Sequence, residues 1–250
     1  SLERAIDILI GNKKIELIGK TDSGTVFYSI KKESRIEILY FKNTILHHFL
    51  IPSVINSTWI NLFNGNIFTL ADLKEFFLKQ RDQLKHEFYL PTVKEFFFKT
   101  LDIISDCVGK RVHSLEECLE LSRKELYAIA SKLGVFSKVC SYINEAYYCS
   151  ALALKEIDNR KNDKPYKYDD YVKKMKEIFE HQLKIGRVIK YPESFSLPLA
   201  KTSLKYFEQL GLVERDSSFV QVVDRDELER MIVYYEKNLI DGLTFNIRTH

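Results

Sequence analysis

The chain has 250 residues, 45% apolar and 29% charged, with a formal net charge of +3. This is the make-up of a globular protein able to bury a sizeable core, and so small a charge argues little for nucleic-acid binding. Nine glycines are too few for a Gly-rich nucleotide-binding α/β fold, and four cysteines without a C-x-x-C pair read as reduced, mostly buried thiols in a cytosolic setting.

SLERAIDILIG predicts a helix with Ser1 as N-cap and Gly11 as its end. A chain that opens directly on a helix, with no signal sequence, suggests a piece of something longer. KIELIG and TVFYSI then read as two strands, joined by Lys20–Gly24 with glycine supplying the positive φ. From Lys31 the period becomes helical, with Ile38, Phe41, Ile45 and Phe49 on one face. Pro52 should kink or restart this helix, and a second segment runs from Ser53 to about Phe63.

Helices follow from Thr69 to about His86, and from about Thr92 to Val108 with Gly109 as its stop. Ser114-Leu-Glu-Glu fits a capping box opening a helix that reaches about Leu133. Phe136 to about Ile157 is a long aromatic helix, and Asp158–Pro165 a charged loop. Val172, Met175, Phe179 and Leu183 mark the buried face of the next helix. Leu199–Leu210 is a helix closed by Gly211, followed by strands LVER and FVQVV, and Asp224 caps a last helix carrying Leu228, Ile232 and Tyr235. Helix, glycine, strand, turn, strand thus occurs twice. The expected fold is mainly α: a helical bundle with two small helix–β-hairpin, winged-helix-like units near the termini. The expected division is 1–30, a partial winged-helix-like unit; 31–195, the helical body; and 196–250, a terminal helix–hairpin–helix unit.

The run Leu39–Phe63 carries one formal charge, Lys42. A membrane span needs about 20 mainly apolar residues. His47, His48, Pro52, Asn56, Ser57 and Asn61 interrupt this one, so a kinked core helix pair is the better reading. Tyr40, Asn43 and His47 form a polar stripe beside the apolar face, with Lys42 adjoining. The stripe reads as an internal hydrogen-bond network, as a seam that docks on another domain, or as the lining of a pocket for a phosphate or headgroup.

No G-x-S-x-G, Walker loop or H-E-x-x-H occurs, and no set of histidines has metal-ligand spacing. No cofactor or metal is expected.

Leu39-Tyr-Phe-Lys-Asn-Thr-Ile-Leu-His47, with Ile51-Pro52 after it, resembles the Tyr-Tyr-Arg-Asn-Asn…His helix of the C-terminal region of glycerol-3-phosphate 1-O-acyltransferases, the long bacterial membrane-associated type and its mitochondrial relatives. Leu84–Pro91 is similar to the family's acidic-Phe-Phe segment. Tyr142-Ile-Asn-Glu-Ala-Tyr147-Tyr148 is similar to its aromatic helix, and Leu204–Asp224 resembles its terminal helix and hairpin. The likeness runs in order over roughly residues 2–240. Lys42 stands where arginine is usual, which keeps the charge and loses the forked guanidinium; Phe41 and Thr44 replace a tyrosine and an asparagine.

Acyltransferases of this superfamily use H-x-x-x-x-D, the histidine taking the proton of the glycerol hydroxyl and the aspartate orienting it. Five positions after the histidines stand Pro52, Ser53, Pro91, Cys118 and Gly186, and His250 ends the sequence. The resemblance therefore implies a non-catalytic region, inactive alone. It would dock on the acyltransferase domain through Tyr40, Lys42, Asn43, His47 and Tyr147. It would meet acyl-CoA or acyl carrier protein only through the parent enzyme, itself peripheral on the cytoplasmic side of the inner membrane, and a peripheral membrane contact of this region stays open. No nucleic-acid partner is expected. The alternatives are a winged-helix-like nucleic-acid-binding or regulatory protein, and a stand-alone helical scaffold.

Overall fold

A computed structural model describes residues 2–34, 37–38, 45–158, 165–189, 194–216 and 218–240. They fall into two compact units, residues 1–48 and 49–250. Ten α-helices and two small antiparallel sheets are formed among the described residues, the mainly helical fold expected from the sequence.

In the first unit, α1 (Leu2–Gly11) leads into the hairpin of β1 (Ile15–Lys20) and β2 (Val26–Ile30). Gly24 turns it at φ 87°, a conformation that costs a side-chain-bearing residue free energy. Register runs Ile15 to Ile30 and Lys20 to Val26, with a bulge between Leu17 and Gly19. Leu17, Ile18 and Phe27 stay more than half exposed.

The expected helix from Lys31 to Phe49 is only partly described, since residues 39–44 lie outside. What is described includes 3-10 turns at Lys32–Ser34 and Leu46–Phe49. Ile45, expected to pack inward, is exposed. A 3-10 turn has three residues per turn, so a stripe spaced for an α-helix no longer stays on one face there.

The second unit begins with α2 (Leu50–Phe63). Pro52 does not break it. It stands in the first turn, where the proline's missing N–H would have had no helical partner. Val54, Ile55, Trp59 and Ile60 are buried, and so are Ser53, Asn56, Thr58 and Asn61. A 14-residue helix buried nearly all round is a core element, which explains why this stretch lacks charge. Among the described residues no helix is long and apolar enough to cross a membrane.

Around α2 pack α3 (Leu70–Leu84), α4 (Val93–Val108) and α6 (Arg123–Leu133). Thr69 and Thr92 close capping boxes with Asp72 and Glu95, and Gly109 ends α4 at φ 73°. Ser114 accepts from the Glu117 amide, but the helix expected to reach Leu133 ends sooner. α5 is only Leu115–Leu119, and Ser122 opens α6 through its own capping box with Glu125. Gly134 keeps right-handed φ and enters a 3-10 turn rather than a left-handed cap.

α7 (Ser141–Asp158) is the centre of the remaining packing, touching α8 (Tyr168–Lys184), α9 (Leu197–Gln209) and α10 (Arg225–Ile240). α8 buries Tyr171, Met175, Ile178, Phe179 and Gln182, so its inward face is rotated from the expected one and Leu183 is exposed. β4 (Val213–Arg215) and β5 (Phe219–Val222) form the expected second hairpin. β3 (Tyr166–Lys167), which the sequence did not suggest, pairs with β5 at Tyr166–Val220. Asp224 caps α10, accepting from the Glu227 amide at 2.9 Å, and Leu228, Ile232 and Tyr235 are buried as expected.

Candidate functional site

Of the five residues expected to form a docking seam, Tyr40, Lys42 and Asn43 lie outside the described residues. His47 is exposed in the first unit, its ring 3.8 Å from that of His48. Tyr147 lies in the second unit and is wholly buried in α7.

Tyr147 leads to a group of interacting titratable side chains in the second unit. Its ring packs against Tyr206 at 5.7 Å, Phe207 at 6.0 Å and Tyr235 at 6.3 Å. Its hydroxyl donates to the main-chain carbonyl of Gln83 at 3.5 Å and lies within hydrogen-bonding reach of Thr202. The Thr202 hydroxyl, on α9, donates to the Glu87 carboxylate. Burial raises the Glu87 carboxyl above its ordinary range, and the Thr202 hydrogen bond only partly offsets this. Burial likewise lowers His86, whose Nε2 stands 3.2 Å from Gln209 Oε1 and whose ring meets Tyr206 edge-on.

The loop between α3 and α4 carries His86 and Glu87, and three links hold it. They are Thr202 to Glu87, His86 to Gln209, and the guanidinium of Arg81, which donates to the Pro91 carbonyl at 2.6 Å. Arg81 also lies 5.5 Å over the Phe96 ring. Between these links Tyr89 is 98% exposed.

Chemically this is a clamp. In an H-x-x-x-x-D arrangement a carboxylate orients the histidine that acts as general base. Asp82, one turn before His86, is engaged by Arg81 at 2.8 Å, and His86 meets an amide instead. Burial pushes the Tyr147 hydroxyl and the Cys149 thiol up, and the Cys118 thiol to about 12, so none is an activated nucleophile at neutral pH. Among the described residues no three metal-ligating side chains come together.

Sequence reasoning had singled out Tyr147, noted Glu87 only within the Leu84–Pro91 likeness and not as a site residue, and missed Thr202.

A family model described as the glycerol-3-phosphate acyltransferase C-terminal region matches residues 1–216. No curated protein and no solved structure matches the chain.

Proposed function

The chain belongs to the family of the glycerol-3-phosphate acyltransferase C-terminal region, and from that premise we propose that it is a non-catalytic region that docks on and supports the acyltransferase domain of its parent enzyme. That domain would transfer an acyl chain from acyl-CoA or acyl carrier protein to the 1-hydroxyl of sn-glycerol 3-phosphate, the opening step of phospholipid synthesis. The parent would work as a peripheral enzyme on the cytoplasmic side of the inner membrane.

The observation that carries this reading is the missing dyad in a member of an acyltransferase family: none of His47, His48, His86, His113 and His181 has an aspartate five positions on. The clamp around Glu87 supports it, since its histidine bonds to an amide. The hairpin of the first unit supplies apolar surface for docking, with Ile18 at 68% and Leu17 at 58% exposure. Polar contacts would come from Tyr40, Lys42, Asn43 and His47. Tyr147, being buried, would act by holding the α7–α9 packing.

Co-expression of the full chain with the acyltransferase domain tests the proposal. The two should co-purify. Asn43→Ala with His47→Ala, and separately Leu17→Ser with Ile18→Ser, should reduce both co-purification and acyl transfer. Unchanged co-purification and activity in both pairs would remove the docking reading.

A further inference from the structure

A second polar feature of the 49–250 unit owes nothing to the acyltransferase reading. Where α2, α3, the start of α7 and the end of α10 meet, a recess is lined by Ser53, Ser57, Gln80, Gln83, Asn144 and Asn238, among others. Gln83 is 1% exposed. Its Nε2 donates to Asn144 Oδ1 at 2.8 Å, but its Oε1 has no hydrogen-bond partner among the described residues. Gln80, beside it, donates to the Tyr234 hydroxyl, so that amide nitrogen is engaged elsewhere.

A buried carbonyl oxygen without a donor costs roughly 1–3 kcal/mol, and buried polar groups in folded proteins are almost always satisfied. The recess offers about 20 Å³ to the centres of water-sized groups, and about 10–15 Å³ is enough for one water. Among the described residues no Lys, Arg, Asp or Glu lines it. A phosphate or carboxylate entering would find no counter-charge and would lose its hydration. The lining serines and amides instead suit a neutral group that can both donate and accept.

We propose that this recess is a binding site for a single neutral hydroxyl, which donates to Gln83 Oε1 and accepts from the lining side chains. Two sources share that chemistry: an ordered water, and the terminal hydroxyl of a neutral polyol.

A crystal structure of the full chain grown without polyol tests the site first. It should show an ordered oxygen about 3 Å from Gln83 Oε1, and Gln83→Leu should lose it. Titration of the wild-type chain with glycerol, read by NMR at the Gln83 and Asn144 side-chain amides, separates the sources. A saturable shift assigns the polyol; a linear drift, with the oxygen present in the crystal, assigns water. If Gln83→Leu does not fold, the wild-type density and the titration still decide. A bare Oε1 together with an unsaturable drift overturns the proposal.

Discussion

Thr202 donates its hydroxyl proton to the carboxylate of Glu87, 115 positions earlier in the chain. This contact ties the loop after α3 to α9, next to the buried hydroxyl of Tyr147. It also partly offsets the effect of burial on the Glu87 carboxyl.

Burial raises the Glu87 carboxyl above its ordinary 4.5. A carboxyl raised in the folded state favours folding most at low pH, and that contribution is lost as pH rises through the folded value. Ionisation of this half-buried carboxyl, as pH rises through its folded value, therefore weakens the fold. Glu87→Gln keeps an acceptor for Thr202 and removes the charge. It should raise the melting temperature at pH 7 by about 2–4 °C, an advantage that shrinks as pH falls through the folded value and is gone below the ordinary 4.5. Thermal melts of both proteins from pH 4 to 8 would check this, and a variant equally destabilised at every pH would refute it.

His86 has the opposite sign. Burial lowers it from its ordinary 6.5, so the unfolded chain binds its proton more readily. The stability this histidine contributes above pH 6.5 is lost as pH falls through its folded value. His86→Asn should flatten the stability profile below pH 6.5, as measured by chemical denaturation at stepped pH.

Tyr147→Phe removes only the hydroxyl that reaches Thr202 and the main-chain carbonyl of Gln83. It should cost about 1 kcal/mol. Tyr147→Ala also empties the space between Tyr206, Phe207 and Tyr235, and should cost about 3–5 kcal/mol. Urea unfolding of the two variants would separate the hydroxyl from the ring.

Asn56 is wholly buried on α2, and neither its amide nitrogen nor its oxygen has a partner among the described residues. Asn56→Leu exchanges these for apolar atoms of similar volume. It should leave stability unchanged or raise it by about 1–3 kcal/mol. A clear fall in the urea midpoint would mean that the amide is answered by a group that the described residues do not supply.

The boundary between α5 and α6 rests on Ser122, which accepts from the Glu125 amide while the Glu125 carboxylate accepts from Ser122. Lys110 and Ser122 hold the Glu125 carboxyl at about 2. Its contribution is present above pH 4.5 and lost as pH falls toward 2. Ser122→Ala should cost about 1 kcal/mol at pH 7, and that difference should narrow in acid, as followed by circular dichroism.

Much of this protein was legible in its residue order because the deciding interactions are local. Thr69 with Asp72, Thr92 with Glu95, Gly109, Gly211 and Asp224 mark helix ends through contacts spanning three or four positions. Gly24 sets its hairpin in the same way. The helical class and both hairpins followed from such signals, and the family resemblance from the order of short likenesses such as Leu39–His47 and Tyr142–Tyr148. Even the break at Ser122 was local, hidden only by the longer apolar period running through it. Tertiary structure alone decided the rest. It enclosed α2 on nearly every side, rotated the buried face of α8, paired β3 with β5, and brought Glu87 under Thr202 beside Tyr147. These outcomes depend on desolvation and on partners far away in the chain, and a side chain's own neighbours do not specify who will cover it.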